Sequence, residues 1–242
     1  MAKNISMSGS GPAAVARAGS PLATLEPPRF ALTELAGRLV ELSGDAASAA
    51  LTLAMRLVLD AQRAGEPVAW VAVDGQLFFP PDAADSGIDL EALLVVRLAP
   101  PTASSHTATP LMAAKMQAQA PAHRPARGQP LAPRLASAAE RLLRSGAFGL
   151  VVLDLGKDAA LSQPMQSRLL GLAQHHHAAV LCLTQKPESS PSLGSLVSLR
   201  AQAVRIWLGQ DRFACELRVN KDKRRGPVWS EREVYRGPLG LR

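Results

Sequence analysis

The chain has 242 residues, 47% hydrophobic, 4% aromatic and 19% charged, with 27 Lys and Arg against 20 Asp and Glu for a net charge of +7. That length suits one domain with additions or two small ones, and two cysteines exclude a disulfide framework or a four-thiolate zinc site. No apolar run reaches the roughly 18 residues that span a bilayer, and the N-terminus lacks a compact apolar signal core, so a soluble, cytoplasmic protein without membrane partners is expected.

The charge is divided unevenly. Residues 1–99 carry 7 basic and 11 acidic side chains, 100–134 carry 4 and none, 135–199 carry 5 and 4, and 200–242 carry 11 and 5. A nearly balanced core is therefore flanked by two basic segments, which favours local electrostatic contacts over general cationic character.

Residues 1–29, rich in Gly, Ser, Ala and Pro without apolar periodicity, predict a disordered arm. The core is expected over 30–220, with a basic C-terminal segment at 221–242. The run Arg38, Leu39, Val40, Glu41, Leu42 predicts a strand, residues 43–45 a turn, and residues 46–63 an Ala/Leu-rich helix ending at Gly65. Residues 68–73, apolar without alternation, predict a strand buried on both faces, and 93–98 another.

Between 100 and 134 there are seven prolines and no acidic residue, which predicts a flexible basic insertion with little more than a helical turn or two at 111–119. A helix is expected from Leu135 to about Ser145, a buried strand over 148–154 ending in Asp154, an amphipathic helix over 163–177 and a strand over 178–184. This alternation predicts right-handed parallel crossovers in a doubly wound α/β sheet. After Pro191, a short helix near Leu196 and strands around 204–208, 213–219 and 229–235 predict an antiparallel extension. Cys182 and Cys215, both in apolar strand-like runs, are expected to be buried hydrophobes.

A strand, a glycine turn and a helix form the frame of phosphate-binding loops. In G-x-x-x-x-G-K-[ST], backbone amides cradle phosphate, the lysine neutralises it and the hydroxyl holds Mg²⁺. Here the stretch runs from Gly44 to Leu51, with Ala49, Ala50 and Leu51 where glycine, lysine and hydroxyl should stand. One lost charge-assisted contact is worth about 1.5–3 kcal/mol, or one to two decades of affinity. Asp45 adds repulsion. The loop is thus read as vestigial, with no ATP or metal cofactor expected.

The order of segments resembles the ATPase core of the RecA family. Residues 37–42 look like that family's strand before the phosphate loop, 61–65 like the end of its following helix, and 145–154 like its Walker B segment. Leu183, Thr184 and Gln185 resemble the strand end bearing a nucleotide-sensing glutamine, and 219–223 a late basic strand end. The likeness spans about 37–99 and 135–235. Within that superfamily, residues 148–156 and the charged ending 223–226 are most similar to the ImuA family of RecA-like translesion-synthesis accessory factors. The resemblance implies a RecA-like, mainly parallel sheet with a degenerate phosphate loop, Asp154 in a metal-ligating position and Asp74 near that of a catalytic glutamate. With the lysine missing, no catalytic residue is expected.

What the likeness implies for function is a non-catalytic adaptor in SOS-induced mutagenic DNA synthesis, in contact with ImuB and with RecA. The alternative is a weak RecA-like repair ATPase or recombinase mediator that binds DNA. Arg218, Lys221, Lys223, Arg224 and Arg225 place five cations in eight residues. They suit single-stranded DNA phosphates, with Trp229 and Tyr235 available to stack on bases. They equally suit an acidic protein face or a solvated turn with core aromatics. Arg124, Arg127 and Arg134 are candidate helpers. His175, His176 and His177 point about 100° apart on a helix and cannot chelate one ion alone, so a solvated helix end is expected.

Overall fold

The computed structural model describes residues 30–74, 80–100, 130–157, 159–209, 211–226 and 229–236. The expected arm at 1–29, nearly all of the proline-rich insertion, and Arg124 and Arg127 lie outside them. In chain order the described elements are α1 (Leu32–Leu35), β1 (Leu39–Gly44), α2 (Ala50–Arg63), β2 (Val68–Val73), α3 (Pro80–Asp85), β3 (Leu93–Leu98), α4 (Leu131–Arg144), β4 (Leu150–Gly156), α5 (Gln163–His175), β5 (Ala179–Gln185), β6 (Leu199–Gly209), β7 (Arg212–Asp222) and β8 (Trp229–Arg236). The strands form one eight-stranded sheet in the order β3-β2-β4-β5-β1-β6-β7-β8. β1 to β6 are mutually parallel, whereas β7 runs antiparallel to both β6 and β8. The chain is an α/β protein with a mainly parallel sheet and an antiparallel C-terminal extension.

Helices cover both faces. α1, α2 and α3 contribute to one apolar core with Leu42, Trp70, Val152, Leu181 and Leu217. α4 and α5 build the other, with Val71, Leu153 and Val180. All six residues of β1 and of β2 are buried, which explains the unbroken apolar run of β2: a central parallel strand has no solvent face on which to alternate. Each fully buried Leu or Val side chain contributes about 1.5–3 kcal/mol.

Several boundaries differ from expectation. β1 continues through Ser43 to Gly44, and α2 begins at Ala50 rather than Ala46. The alanines at 46 and 47 have high helix propensity but are exposed in a turn; they have no core to cover, and tertiary context overrides propensity. α4 starts at Leu131 with Pro133 in its first turn, where the missing N–H has no intrahelical partner to lose. α5 ends at His175, two residues early, and His177 has φ +54°. The strands of the extension are longer than expected, and the limit placed at 220/221 falls inside β7.

The expected helix near Leu196 is absent. β5 and β6 are parallel and flank β1, so residues 186–198 must return along the sheet. They do so without a helix, Val197 reaching the α4–α5 core. Pro187, Pro191, Gly194 and several serines make this stretch a poor helix former. Its backbone polar groups then need other partners.

Candidate functional site

Four of the singled-out residues come together at the carboxyl ends of adjacent strands. Leu42, Leu183, Val152 and Ala72 all point into the α2 core. Strand alternation carries Gly44, Gln185, Asp154 and Asp74, two residues on, to the same side. Gly44 is in register with Gln185, and Asp154 with Leu183. The sheet order thus lines up β1, β5, β4 and β2 around the start of α2, at the strand ends where open α/β sheets bind ligands.

In the loop before α2, the Ser48 side chain lies against Gly44. Ser48 folds back so far that a Cβ at Gly44 would overlap its Oγ and Cβ. The Ser48 amide donates to the Asp45 carbonyl at 3.1 Å, and the Ser48 hydroxyl accepts the Ala50 N–H at 3.3 Å. Ala49 is buried, while Leu51 turns toward Thr52, Met55 and Tyr235, where it lines a cavity of about 430 Å³ between α2, α3 and the end of β8. Ser48, rather than Leu51, is what approaches Gly44.

Asp154 is half-buried, and burial pushes its carboxyl up to about 6 against the opposing hydrogen bond from the Gly156 amide. The register shifts at this point, and Gly156 takes φ +63°, a conformation open to glycine. Asp74 is exposed just beyond β2, its amide held by the Leu98 carbonyl at 3.0 Å.

A second cluster, on the opposite face, was not anticipated. Glu41 is completely buried. It forms an ion pair with Lys186 and accepts hydrogen bonds from Ser192 Oγ at 2.7 Å and the Leu193 amide at 2.9 Å. Beside it, the Ser43 and Thr184 hydroxyls lie 2.9 Å apart. Lys186 Nζ donates to the Pro191 carbonyl, Gln166 Nε2 to Leu161 and Leu193, and Arg200 to Ser190. These side chains satisfy the helix-free crossover. The signal available in the sequence was a lone carboxylate inside an apolar strand, with a lysine directly after the glutamine that ends another.

The basic stretch is largely occupied. Arg218 pairs with Glu216 at 2.9 Å, and Lys223 Nζ donates to the Ser195 carbonyl at 2.6 Å, with Lys221 Nζ 3.5 Å from the same oxygen. Arg224 donates to the carbonyls of Glu34 and Ala36, and Arg225 pairs with Glu34 at 2.8 Å. The candidate stacking aromatics belong to the fold: Trp229 Nε1 donates to Asp222, while Tyr235 donates to Glu233 and stacks on Phe213. Arg134 donates to the Ala99 carbonyl. Among the described residues, the exposed large aromatic is instead Trp207, 62% accessible at the end of β6.

His176 packs against Gly146, and the His175 ring meets His176 edge-on. Among the described residues, no group of three or more His, Cys, Asp or Glu side chains is placed to hold a metal ion, and no helix is long and apolar enough to cross a membrane. Cys182 and Cys215 are buried free thiols, and burial pushes both up, Cys215 to about 11. No protein-family model and no curated protein matches the sequence.

Proposed function

We propose that this chain is a non-catalytic RecA-like accessory protein of SOS-induced mutagenic translesion DNA synthesis, akin to ImuA, with ImuB and RecA as its protein partners. The observation that carries this reading is the row Gly44, Gln185, Asp154 and Asp74 at the ends of β1, β5, β4 and β2, beside a loop in which Ser48 lies against Gly44. The row supports descent from a nucleotide-binding frame.

The residues present do not fit a magnesium nucleotide. Ser48 Oγ takes the Ala50 amide that a phosphate oxygen would need. Ala49, Ala50 and Leu51 bring methyl and isobutyl groups where a cation and a metal-ligating hydroxyl belong. Asp45 stands exposed at the mouth, and burial pushes the Asp154 carboxyl up to about 6.

A subunit with this core and no nucleotide turnover joins the end of a RecA filament without propagating it. That restrains strand exchange and favours bypass synthesis through ImuB. Equilibrium titration with a fluorescent ATP analogue tests the premise. Binding weaker than about millimolar agrees with it, and saturable binding tighter than about micromolar favours the rival reading of a weak repair ATPase or recombinase mediator.

A further inference from the structure

The helices α4 and α5 cover only part of their side of the sheet. Their core takes in residues of β1, β2, β4 and β5 and of the crossover as far as Val197, and none from β6, β7 or β8. On that side of the extension, the register sets Ile206, Ala214 and Val234 in one row, and Val204, Glu216 and Arg232 in the next. Leu208, the extra residue where the register shifts before Gly209, extends the apolar run of β6, and Arg212 and Arg236 lie side by side at its end. Ala214 is fully buried as the floor between Ile206 and Val234, while Leu208 is 41% and Val234 57% accessible. Arg212, Arg218, Arg232 and Arg236 are all exposed. Among the described residues Arg212, Arg232 and Arg236 form no ion pair, and Glu216 is already engaged by two nitrogens of Arg218.

The pattern on this face decides its occupant. An aliphatic centre of Val204, Ile206, Leu208 and Val234 inside a rim of arginines is the layout of a protein interface, and free guanidinium forks pair with carboxylates. The rings of this hairpin, Trp207, Phe213, Trp229 and Tyr235, alternate to the other face, so bases would find no aromatic platform here. Three strands about 4.8 Å apart, each about seven residues long at about 3.4 Å per residue, make a face roughly 10–15 Å by 24 Å. That is well below the roughly 800 Å² per partner of a standard interface between folded proteins. It matches one α-helix of about four turns, roughly 10–12 Å wide and 22 Å long. Neither 1–29 nor 100–134 of this chain carries the charge such a helix needs: the first has Lys3, Arg17 and Arg29 against Glu26, and the second has four basic residues and no acidic one. We infer that this face docks an acidic amphipathic helix of a protein partner, which extends over β6–β8 the helical layer that α4 and α5 begin. Its apolar stripe lies on Ile206, Leu208 and Val234, and its flanking carboxylates meet Arg212, Arg232 and Arg236. The inference stands on this face alone and does not rest on the accessory role.

The test is fluorescence polarisation of labelled peptides of about 15 residues with the whole chain: an amphipathic Leu/Glu helix, a scramble of the same composition, and the helix with every Glu replaced by Lys. The acidic helix should bind saturably, and the scramble at least about tenfold more weakly. Leu208→Gln/Val234→Gln and, separately, Arg212→Glu/Arg232→Glu should each weaken the acidic helix at least about tenfold. The glutamate variant should in turn gain affinity for the Leu/Lys helix, a rescue that a folding defect does not produce. The charge-matched control Arg63→Glu/Arg141→Glu, on helix surfaces elsewhere, should stay within about threefold of wild type. Absence of wild-type binding, equal binding of the scramble, or an equal loss in the control would each overturn the inference. Displacement of the peptide by equimolar oligothymidylate would assign the face to nucleic acid, and self-association of the chain that is lost in Arg212→Glu/Arg232→Glu would assign it to a second copy; either result would overturn it as well.

Discussion

The guanidinium of Arg38 and the carboxylate of Asp222 meet at 2.6 Å with side chains only 2% and 0% exposed. Arg38 immediately precedes β1 and Asp222 ends β7, so this contact ties the first strand to the extension. Asp222 also accepts the Arg224 amide at 2.9 Å and the Trp229 indole at 3.2 Å, and Arg38 donates to Ser198 Oγ and its carbonyl. Burial alone would raise the Asp222 carboxyl; the hydrogen bonds from Arg224, Arg38 and Trp229 outweigh it and hold it below its usual range. Burial likewise lowers Arg38, partly offset by Asp222.

Removing one partner strands a buried charge. Asp222→Ala and Arg38→Ala should each cost about 3–5 kcal/mol in chemical denaturation, whereas Arg38→Met/Asp222→Leu should recover much of the loss. Because the folded carboxyl is depressed, its contribution is present above about pH 4 and is lost as acid protonates it. Single variants within 1 kcal/mol of wild type would show that the pair does not tie the sheet together.

Asp154 has the opposite linkage. Its folded value of about 6 lies above the unfolded one of about 4, so the native state holds a proton that the unfolded state releases. Stability from this group is full below about pH 4 and declines as pH rises through about 6. Asp154→Asn should therefore stabilise the protein by about 1–3 kcal/mol at pH 7.5 and by nothing measurable at pH 4. Denaturant midpoints at the two pH values check this, and a uniform change would remove the burial argument.

Much of the sheet was legible in the sequence because β1, β2, β4 and β5 are buried on both faces and read as apolar runs. The strand-end positions of Asp74, Asp154 and Gln185 were anticipated only through the likeness of the order of segments to the RecA family, and that of Gly44 through the glycine turn between a strand and a helix. The pairing of Arg38 with Asp222 was not, since 184 residues separate them and nothing local marks either as a partner. Propensity misplaced the start of α2 because Ser48 bonds locally and the alanines before it cover no core. Aromatic content pointed to Trp229 and Tyr235, yet among the described residues Trp207 is the exposed large aromatic; strand pairing, which composition does not encode, decides which side of a hairpin is covered.

Glu41 should prove a positioning residue for the crossover. Glu41→Gln removes the charge facing Lys186 while keeping a group that can accept from Ser192. Hydrogen exchange at residues 186–198 should accelerate at least tenfold, with global stability lowered by about 3–5 kcal/mol. Unchanged protection of the Leu193 amide would show that the carboxylate does not hold that segment.

Restoring the missing chemistry tests whether the strand-end row is a nucleotide frame. Ser48→Gly/Ala49→Gly/Ala50→Lys/Leu51→Thr opens the contact on Gly44 and supplies the lysine and hydroxyl. Binding of the fluorescent ATP analogue should strengthen by about one to two decades over wild type. A folded variant with no gain would argue against the frame.

Under the proposed role, the chain acts through protein partners rather than through nucleotide turnover. A pull-down at physiological salt with purified ImuB and purified RecA, each tested alone and with ATP withheld from the chain, measures this. Both ImuB and RecA should be retained without any requirement for ATP binding by this chain. Retention of neither would contradict it.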